Sequence, residues 1–342
     1  MTSDRSVRPG SSRRRRVLIG LVATTGALVL AACSGPSSGN QNTSANTASG
    51  SAPSSGGPLH VSVISHGTSG DAFWNVVKNG ATDAGKQLGV TVDYQSDGDP
   101  GAQSKLIDNA VAQKVGGLVV SMANPDALKN SIDNAVKAGI PVITINSGGD
   151  KSAAFGALAH VGQDEGIAGQ EAGKRFKDAG KSKLLCVIHE AGNVGLNQRC
   201  DGAKQGFGGT VTNLQVDINN PTDVESRIKG ALQADPAIDA VLALNPQVAV
   251  NAVSAAKGAN AKAQIATFDL NADVVSAIKA GDVQFAVDQQ QYEQGYLPVV
   301  MLKLYHDNAN TVGGGRPVLT GPGFVDKSNV DKVAQYATRG TR

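Results

Sequence analysis

An α/β fold of two doubly wound parallel sheets in series is what this sequence predicts, on three observations. Short apolar runs that read as strands alternate with segments of helical period, which argues for βαβ units whose sheet is covered on both faces. The alternation restarts after HVGQD (160–164) and repeats at similar length, so two arrays follow one another. Glycine supplies 42 of the 342 residues while aromatics make up only 4%, a composition suited to many tight strand–helix turns.

The elements follow in order. LHVSVISH (59–66) is the first strand. DAFWNVVKNGATDAGKQLG (71–89) has Phe73, Val76, Val77, Ala81, Ala84 and Leu88 at helical spacing. VTVDYQSD (90–97) is a strand, 99–114 a helix with Leu106, Ile107, Ala110 and Val111 on one side, and GGLVVSMA (116–123) the third strand. The helix over 127–138 stops at Gly139, a C-cap residue, and Pro141 opens the strand PVITINS (141–147). In the second array the expected strands are 183–190, 213–219, 239–245, 264–270 and 284–290. Helices are expected over 165–179, 195–207, 222–233, 247–257, 272–280 and 291–308, and VLTGPGFVDKSNV closes the chain.

The N-terminus reads as an export signal. A basic cluster (13–16) precedes an apolar run (17–30) and small residues, the pattern of a secretory leader. The run is shorter than the roughly 20 residues a spanning helix needs. Leu30-Ala31-Ala32-Cys33 resembles the bacterial lipobox, which implies that Cys33 is lipidated and begins the mature chain. Arg15-Arg16-Val17-Leu18-Ile19 partly resembles a twin-arginine signal, so the export route stays open. Residues 34–58 are almost all Ser, Gly, Asn, Thr, Ala and Pro. With no large apolar side chain to offset ordering entropy, they are expected to form a flexible tether. The expected location is outside the cell, lipid-anchored to the outer face of the membrane.

Charge narrows the partners. Lys and Arg number 31 against 29 Asp and Glu, which excludes the clustered basic face of a nucleic-acid binder. No Cys–His spacing fits a zinc site, and no cofactor is expected. With Cys33 lipidated, Cys186 and Cys200 remain in a disulfide-permissive compartment. A bond between them would close a loop of about 15 residues, worth about 3 kcal/mol in the chain-entropy model; two free buried thiols are the alternative.

In open α/β sheets, ligands bind beyond the carboxyl ends of the strands. Those ends carry Ser65, His66 and Gly67, with Asp71, Phe73 and Trp74 starting the next helix. They also carry Asn124, Asn146 and Ser147, and the crossing segment adds Gln163 and Asp164. The second array contributes His189, Glu190, Asn245, Asp269, Asp288 and Gln289, with Arg199 about a turn into the helix after His189. Amides, carboxylates, an arginine and an aromatic face complement a sugar or polyol, which has hydroxyls at its rim and C–H groups on its faces. Asn245 and Asp269 also have a plainer reading as helix caps.

From about residue 59 to 333 the chain resembles the type I periplasmic binding proteins of ABC transporters, in their ribose/galactose-like sugar-binding branch. The motifs that carry this are DAFWNVVKNGATDAGKQLG, GIPVITINS, HVGQDEGIAGQEAGKRF, QRCDGAKQGF, TFDLNADVVSAIKAG and AVDQQQYEQGY, in that order. Repressors that share the lobe pair carry an N-terminal helix-turn-helix, and here an export signal stands in its place. The resemblance implies a clamshell with a three-crossover hinge, its lobes being 59–163 plus 290–318 and 164–289 plus 319–342. It implies a monomer that traps a monosaccharide or polyol by hinge closure and delivers it to an ABC permease with its ATPase. Phe73 and Trp74 match the family's sugar-stacking pair, Arg199 its hydroxyl-reaching arginine, and Asn245, Asp269 and Gln289 its amide, carboxylate and hinge-side amide. His66, Asn146, Gln163 and Asp288 join them as candidate contacts. Asn146-Ser147 departs from the branch's Asp-Arg pair and opens the site to a linear polyol, a furanose or another hydroxylated ligand, with Asp288 as a compensating carboxylate. An exported hydrolase would need a G-x-S-x-G elbow, and none occurs from residue 59 onward. Presentation of the ligand to a sensor kinase would look the same in sequence as transport.

Overall fold

The first array folds as β1 (His60–Ser65), α1 (Ala72–Leu88), β2 (Thr91–Ser96), α2 (Pro100–Ala112), β3 (Gly117–Ser121), α3 (Pro125–Lys137), β4 (Val142–Ile145), the short α4 (Gly149–Ser152) and β5 (Ala159–Gly162). The second runs α5 (Glu165–Asp178), β6 (Lys183–Ile188), α6 (Val194–Phe207), β7 (Thr210–Gln215), α7 (Pro221–Ala234), β8 (Ala240–Ala243), α8 (Pro246–Ala259), β9 (Gln264–Phe268), α9 (Ala272–Ala280) and β10 (Phe285–Asp288). The chain then continues through α10 (Gln291–Asn308), β11 (Val318–Leu319), β12 (Gly323–Asp326) and α11 (Val330–Arg339). This computed structural model describes residues 58–68 and 70–342, which fall within one compact unit, Ser55–Arg342. The expected signal, Cys33 and the tether up to residue 57 lie outside the described residues.

Two six-stranded sheets result, in the orders β11-β5-β4-β3-β1-β2 and β12-β10-β9-β8-β6-β7. Apart from the edge strands β11 and β12, the orders are the same, so the lobes repeat one doubly wound plan. Strand order reverses between β1 and β3 and between β6 and β8, and a crevice opens at such points. β3 is buried along its whole length and β1 at every residue but His60, as strands covered by helices on both faces must be. Each sheet has an apolar cluster on either face.

The chain passes between sheets three times, at 163–164, 289–290 and 320–322. α5 packs on α6 in the second lobe, and α10 returns to pack on α1 in the first. Three details depart from the sequence reading. β12 runs antiparallel to β10, because the third crossing brings the chain back along an open sheet edge. Leu319, expected to open the second lobe's closing segment, pairs with Gly162 in the first sheet. Helix α11 forms in the closing segment and packs on α9.

Caps explain why Asp and Asn crowd one edge of each sheet. Asp71, Asp99, Asn124 and Asp164 accept backbone N–H bonds at helix starts, and so do Asn193, Asn220, Asn245 and Asn271. Such caps satisfy amides that have no partner inside the helix. They also leave polar side chains facing whatever enters the crevice.

Candidate functional site

The first lobe supplies an aromatic wall. Asp71 Oδ1 accepts from the Phe73 N–H at 2.8 Å and fixes the start of α1. Trp74 then lies edge-on to Phe73, with ring centroids 4.9 Å apart, and edge-on to His66, 4.7 Å away. Gly67 makes room for this: a Cβ there would fall 2.5 Å from the indole. His66 is held by Ser121, whose Oγ accepts its backbone N–H at 2.9 Å and sits 2.7 Å from Nδ1.

Two strand ends meet through one amide. Asn146 after β4 and Asp269 after β9 both hold left-handed backbone, at φ 61° and 67°, a conformation that costs a non-glycine residue energy and clusters at functional sites. Asn146 Nδ2 donates to Gln289 Oε1 at 3.1 Å, and Gln289 Nε2 donates to Asp269 Oδ2 at 3.0 Å. Gln289, on the second crossing, thus ties the two lobes' strand ends together. Asp269 Oδ1 is buried with no partner among the described residues. Burial pushes the Asp269 carboxyl up to about 8, against the pull of Arg199. Burial likewise pushes Asp71 up to about 6.

Arg199 comes in from α6. Its Nε and Nη2 grip Glu165 at 2.6 and 3.0 Å, Nη1 donates to the Leu244 carbonyl at 3.4 Å, and the guanidinium lies 4.3 Å over the Phe268 ring. Burial opposes its charge, but Glu165 outweighs burial and keeps it protonated. The Cys186–Cys200 disulfide, with Cα atoms 5.9 Å apart, joins β6 to α6 one residue beyond Arg199.

His189 and Glu190 end β6. Burial takes His189 down to about 4 and lowers His66 too, against the attraction of Glu190, so both imidazoles are neutral at pH 7. Burial disfavours the Glu190 charge as well, but His66, His189 and the Asn193 amide outweigh it and hold its carboxyl below the usual range. Asn193 Nδ2 donates to Glu190 Oε2 at 2.7 Å.

His66, Asp71, Phe73, Trp74, Asn146 and Ser147 of the first lobe and nine residues of the second wall one small cavity. His189, Glu190, Asn193, Arg199, Asn245, Asp269 and Gln289 are among those nine. The lobes also touch directly: Ser147 Oγ is 3.1 Å from Asn193 Oδ1, and the Val194 N–H donates to the Ala123 carbonyl at 3.0 Å. The cleft is therefore shut. The space left is about 30 Å³, room for about two waters at roughly 10–15 Å³ each. No ring-sized molecule fits this space as the lobes stand.

Two expected site residues lie elsewhere. Asp288 is fully buried and turned away from the cavity, its carboxylate holding the Gln290 N–H at 2.9 Å and Arg342 Nε at 2.7 Å. It adjoins Gln289, and neighbours in extended chain point to opposite sides. Gln163 does not line the cavity; its Nε2 donates to Glu165 Oε2 at 2.9 Å, bracing Arg199's partner from the first crossing. Conversely, Asn193 and Glu165 were not singled out. Asn193 precedes the helical pattern at Val194, so cap chemistry at a strand end was its signal. Glu165 and Arg199 are 34 positions apart, and nothing local links them. Among the described residues no group of three His, Cys, Asp or Glu side chains is arranged to hold a metal ion.

A family model described as a periplasmic binding protein domain matches residues 61–309. One similar solved structure, a carbohydrate transporter protein from Acidothermus cellulolyticus 11B in complex with myo-inositol, is 44% identical with a TM-score of 0.82. The match covers 84% of this chain and 100% of that one. The ribose import binding protein of Haemophilus influenzae is 28% identical over 239 residues, 67% of this chain and 79% of that protein. The xylose/arabinose-binding protein of Sulfolobus acidocaldarius is 25% identical over 314 residues, 83% of this chain and 78% of that protein.

Proposed function

The chain belongs to the periplasmic binding protein family, a family of binding proteins rather than enzymes, and we propose that it is the membrane-tethered substrate-binding protein of an ABC importer for a neutral ring polyol. A single observation carries the ligand class: the inter-lobe cavity sets the Phe73–Trp74 wall against amides and carboxyls from the other lobe. Around Arg199 the charges cancel. Glu165 balances Arg199, and burial keeps Asp269 protonated at pH 7, so that its carboxyl both donates to and accepts from a hydroxyl. A site built of such groups rejects ligands that lack the matching hydroxyls, because buried polar atoms would be left unpaired. Asn146-Ser147 supplies an amide and a hydroxyl to the first lobe's rim. That suits a ring with hydroxyls all around, and the relative in complex with myo-inositol makes this cyclitol the first candidate. The Cys33 lipid would hold the protein at the outer face, and hinge closure would present the loaded form to the permease and its ATPase.

A thermal-shift screen followed by calorimetry tests the ligand class. Myo-inositol should raise the melting temperature by mass action, ahead of ribose, xylose and glucose. Response to amino acids or nucleosides alone would overturn it. Cys33→Ala should move the protein from the membrane fraction to the medium, and retention at the membrane would remove the anchor from the proposal.

A further inference from the structure

Gln294, in the first turn of α10, is fully buried and yet does not line the cavity. Packing fixes its backbone: a Cβ on the neighbouring Gly295 would fall 1.9 Å from the Val77 carbonyl oxygen, so α10 lies backbone to backbone on α1. From there the side chain reaches three places. Its Nε2 donates to the main-chain carbonyl of Gln289 at 3.3 Å, to Gln289 Oε1 at 2.8 Å and to Thr320 Oγ1 at 3.2 Å, two hydrogens shared among three acceptors. Its Oε1 accepts from Asn146 Nδ2 at 3.3 Å. The second crossing, the third crossing and the end of β4 thus meet on one amide.

These bonds have a direction, and one partner sets it. A main-chain carbonyl can only accept, so the Gln289 carbonyl holds the NH2 end of Gln294 toward itself. That NH2 also faces Gln289 Oε1, and Asn146 Nδ2 donates to the same oxygen at 3.1 Å. Two donors on Oε1 leave the Nε2 end of Gln289 for Asp269, where it donates to Oδ2 at 3.0 Å. A reversed Gln289 amide would set its NH2 against two donors and its oxygen against a carboxyl oxygen, and buried polar groups are costly to leave unpaired. The Gln289 N–H favours the ionised form of Asp269, in opposition to burial. The other charges acting on Asp269 are Arg199 on α6, Asp288 on β10 and Glu165 on α5, and Gln294 hydrogen-bonds to none of them.

We propose that Gln294 is a positioning residue for the binding site: from outside the cavity it fixes the orientation of the Gln289 amide, so that Asp269 meets an N–H donor and the Asn146 NH2 is turned toward both glutamines. Gln294 acts only through these neighbours, and the cavity wall keeps one pattern of donors and acceptors instead of alternating between two. A fixed pattern is what lets a site reject a guest whose hydroxyls do not match it. The orientation belongs to the ligand-free protein, whereas its effect on affinity rests on the ring-polyol reading above.

Nuclear magnetic resonance of the ligand-free protein decides it. Gln294→Met keeps the length of the side chain and removes both of its bonding ends. With the Gln289 amide released, the pH midpoint of the Asp269 carboxyl carbon should rise by about one unit, the effect of losing an N–H bond to an ionised group. Affinity for myo-inositol, read by calorimetry, should fall about fivefold to tenfold. Thr320→Val is the control. It takes one acceptor from Gln294 and loosens the third crossing, but the Gln289 carbonyl still orients the amide and the Thr320 carbonyl still holds Gln290 Nε2. The Asp269 midpoint should stay where it is. An unchanged midpoint in Gln294→Met overturns the proposal, because Gln289 would then hold its orientation unaided. An equal rise in both variants also overturns it, because loosening of the hinge would be the cause. If Gln294→Met does not fold, the parent decides: the Gln289 NH2 protons should show an Overhauser contact to the Asp269 β protons and the Gln294 NH2 should exchange slowly with solvent, and absence of either overturns the proposal. If the parent does not bind myo-inositol, the ring-polyol assignment falls, while the midpoints still decide the role of Gln294.

Discussion

Asp269 shows what a buried carboxyl on the cavity wall costs the fold. Its carboxyl is buried and pushed up to about 8, whereas the unfolded chain would ionise it near the ordinary carboxylate value of 3.8. The folded pKa is therefore the higher of the two, and ionising Asp269 works against folding. The penalty is absent below the unfolded value, grows as pH rises from about 4, and is complete above about 8. Asp269→Asn removes the titration while keeping an oxygen for Gln289. The ligand-free variant should be more stable than the parent at pH 8, by a few kcal/mol at about 1.4 per pKa unit, and equal to it near pH 4. The same change should weaken ligand binding at least about tenfold, as loss of a buried hydrogen-bonding partner does. Denaturant melts across that pH range and calorimetry would check both arms. Arg199 is a poorer probe. Removing it strands the Glu165 charge in the interior, which costs about 3–5 kcal/mol on its own, so loss of binding and loss of fold would be confounded. Asp269, Arg199, Asn245 and Gln289 could be named from the sequence because strand ends are visible there. Glu165 could not, since its only distinction is a contact 34 residues away.

At the level of elements, α6 is positioned by what α5 lacks. A Cβ on Gly169 would sit 2.0 Å from the Arg199 carbonyl oxygen, and one on Gly202 would sit 2.1 Å from that of Gly166. The helices touch backbone to backbone, and the disulfide ties α6 to β6. Gly169→Ala must push α6 away and Arg199 with it. The expected cost is about 1–3 kcal/mol, the range for overpacking, together with weaker ligand binding. Gly230→Ala on α7 is the control, because nothing lies within 4 Å of its Cβ. That change should stabilise by about 0.4–1 kcal/mol, with affinity unchanged, and urea melts would rank the pair. Helix α10 falls on 291–308 as expected, and Gly139 and Pro141 mark the end of α3 and the approach to β4. The α5–α6 glycines carried no such signal: a glycine facing a backbone and one facing solvent read alike in sequence.

For the whole molecule the decisive contact is the one between the lobes, and if the proposed closure operates, Asn193 is its catch. It caps α6, donates to Glu190, and meets Ser147 and His66 of the opposite lobe at 3.1 and 3.4 Å. Asn193→Ser keeps a capping oxygen but is too short to span the cleft. The ligand-free variant should show a larger radius of gyration by small-angle scattering, and the liganded one the parent's value. Apparent affinity should fall about fivefold, the scale of one hydrogen bond lost from the closed state. An unchanged ligand-free radius would show that the catch does not set the resting position of the lobes.

The sequence by itself determined the order of strands and helices, the restart that makes two lobes, and the polar set at the carboxyl ends. All of these are local: period, caps and breakers act within a few residues. Only the tertiary structure decided which members of that set meet. Strand pairing turned Gln289 into the cavity and Asp288 toward Arg342, and it placed β12 antiparallel on an open edge. Closure joined Asn146 to Gln289 across 143 residues. Such contacts depend on register and on the fit of one lobe against the other, and no stretch of sequence a few residues long contains either.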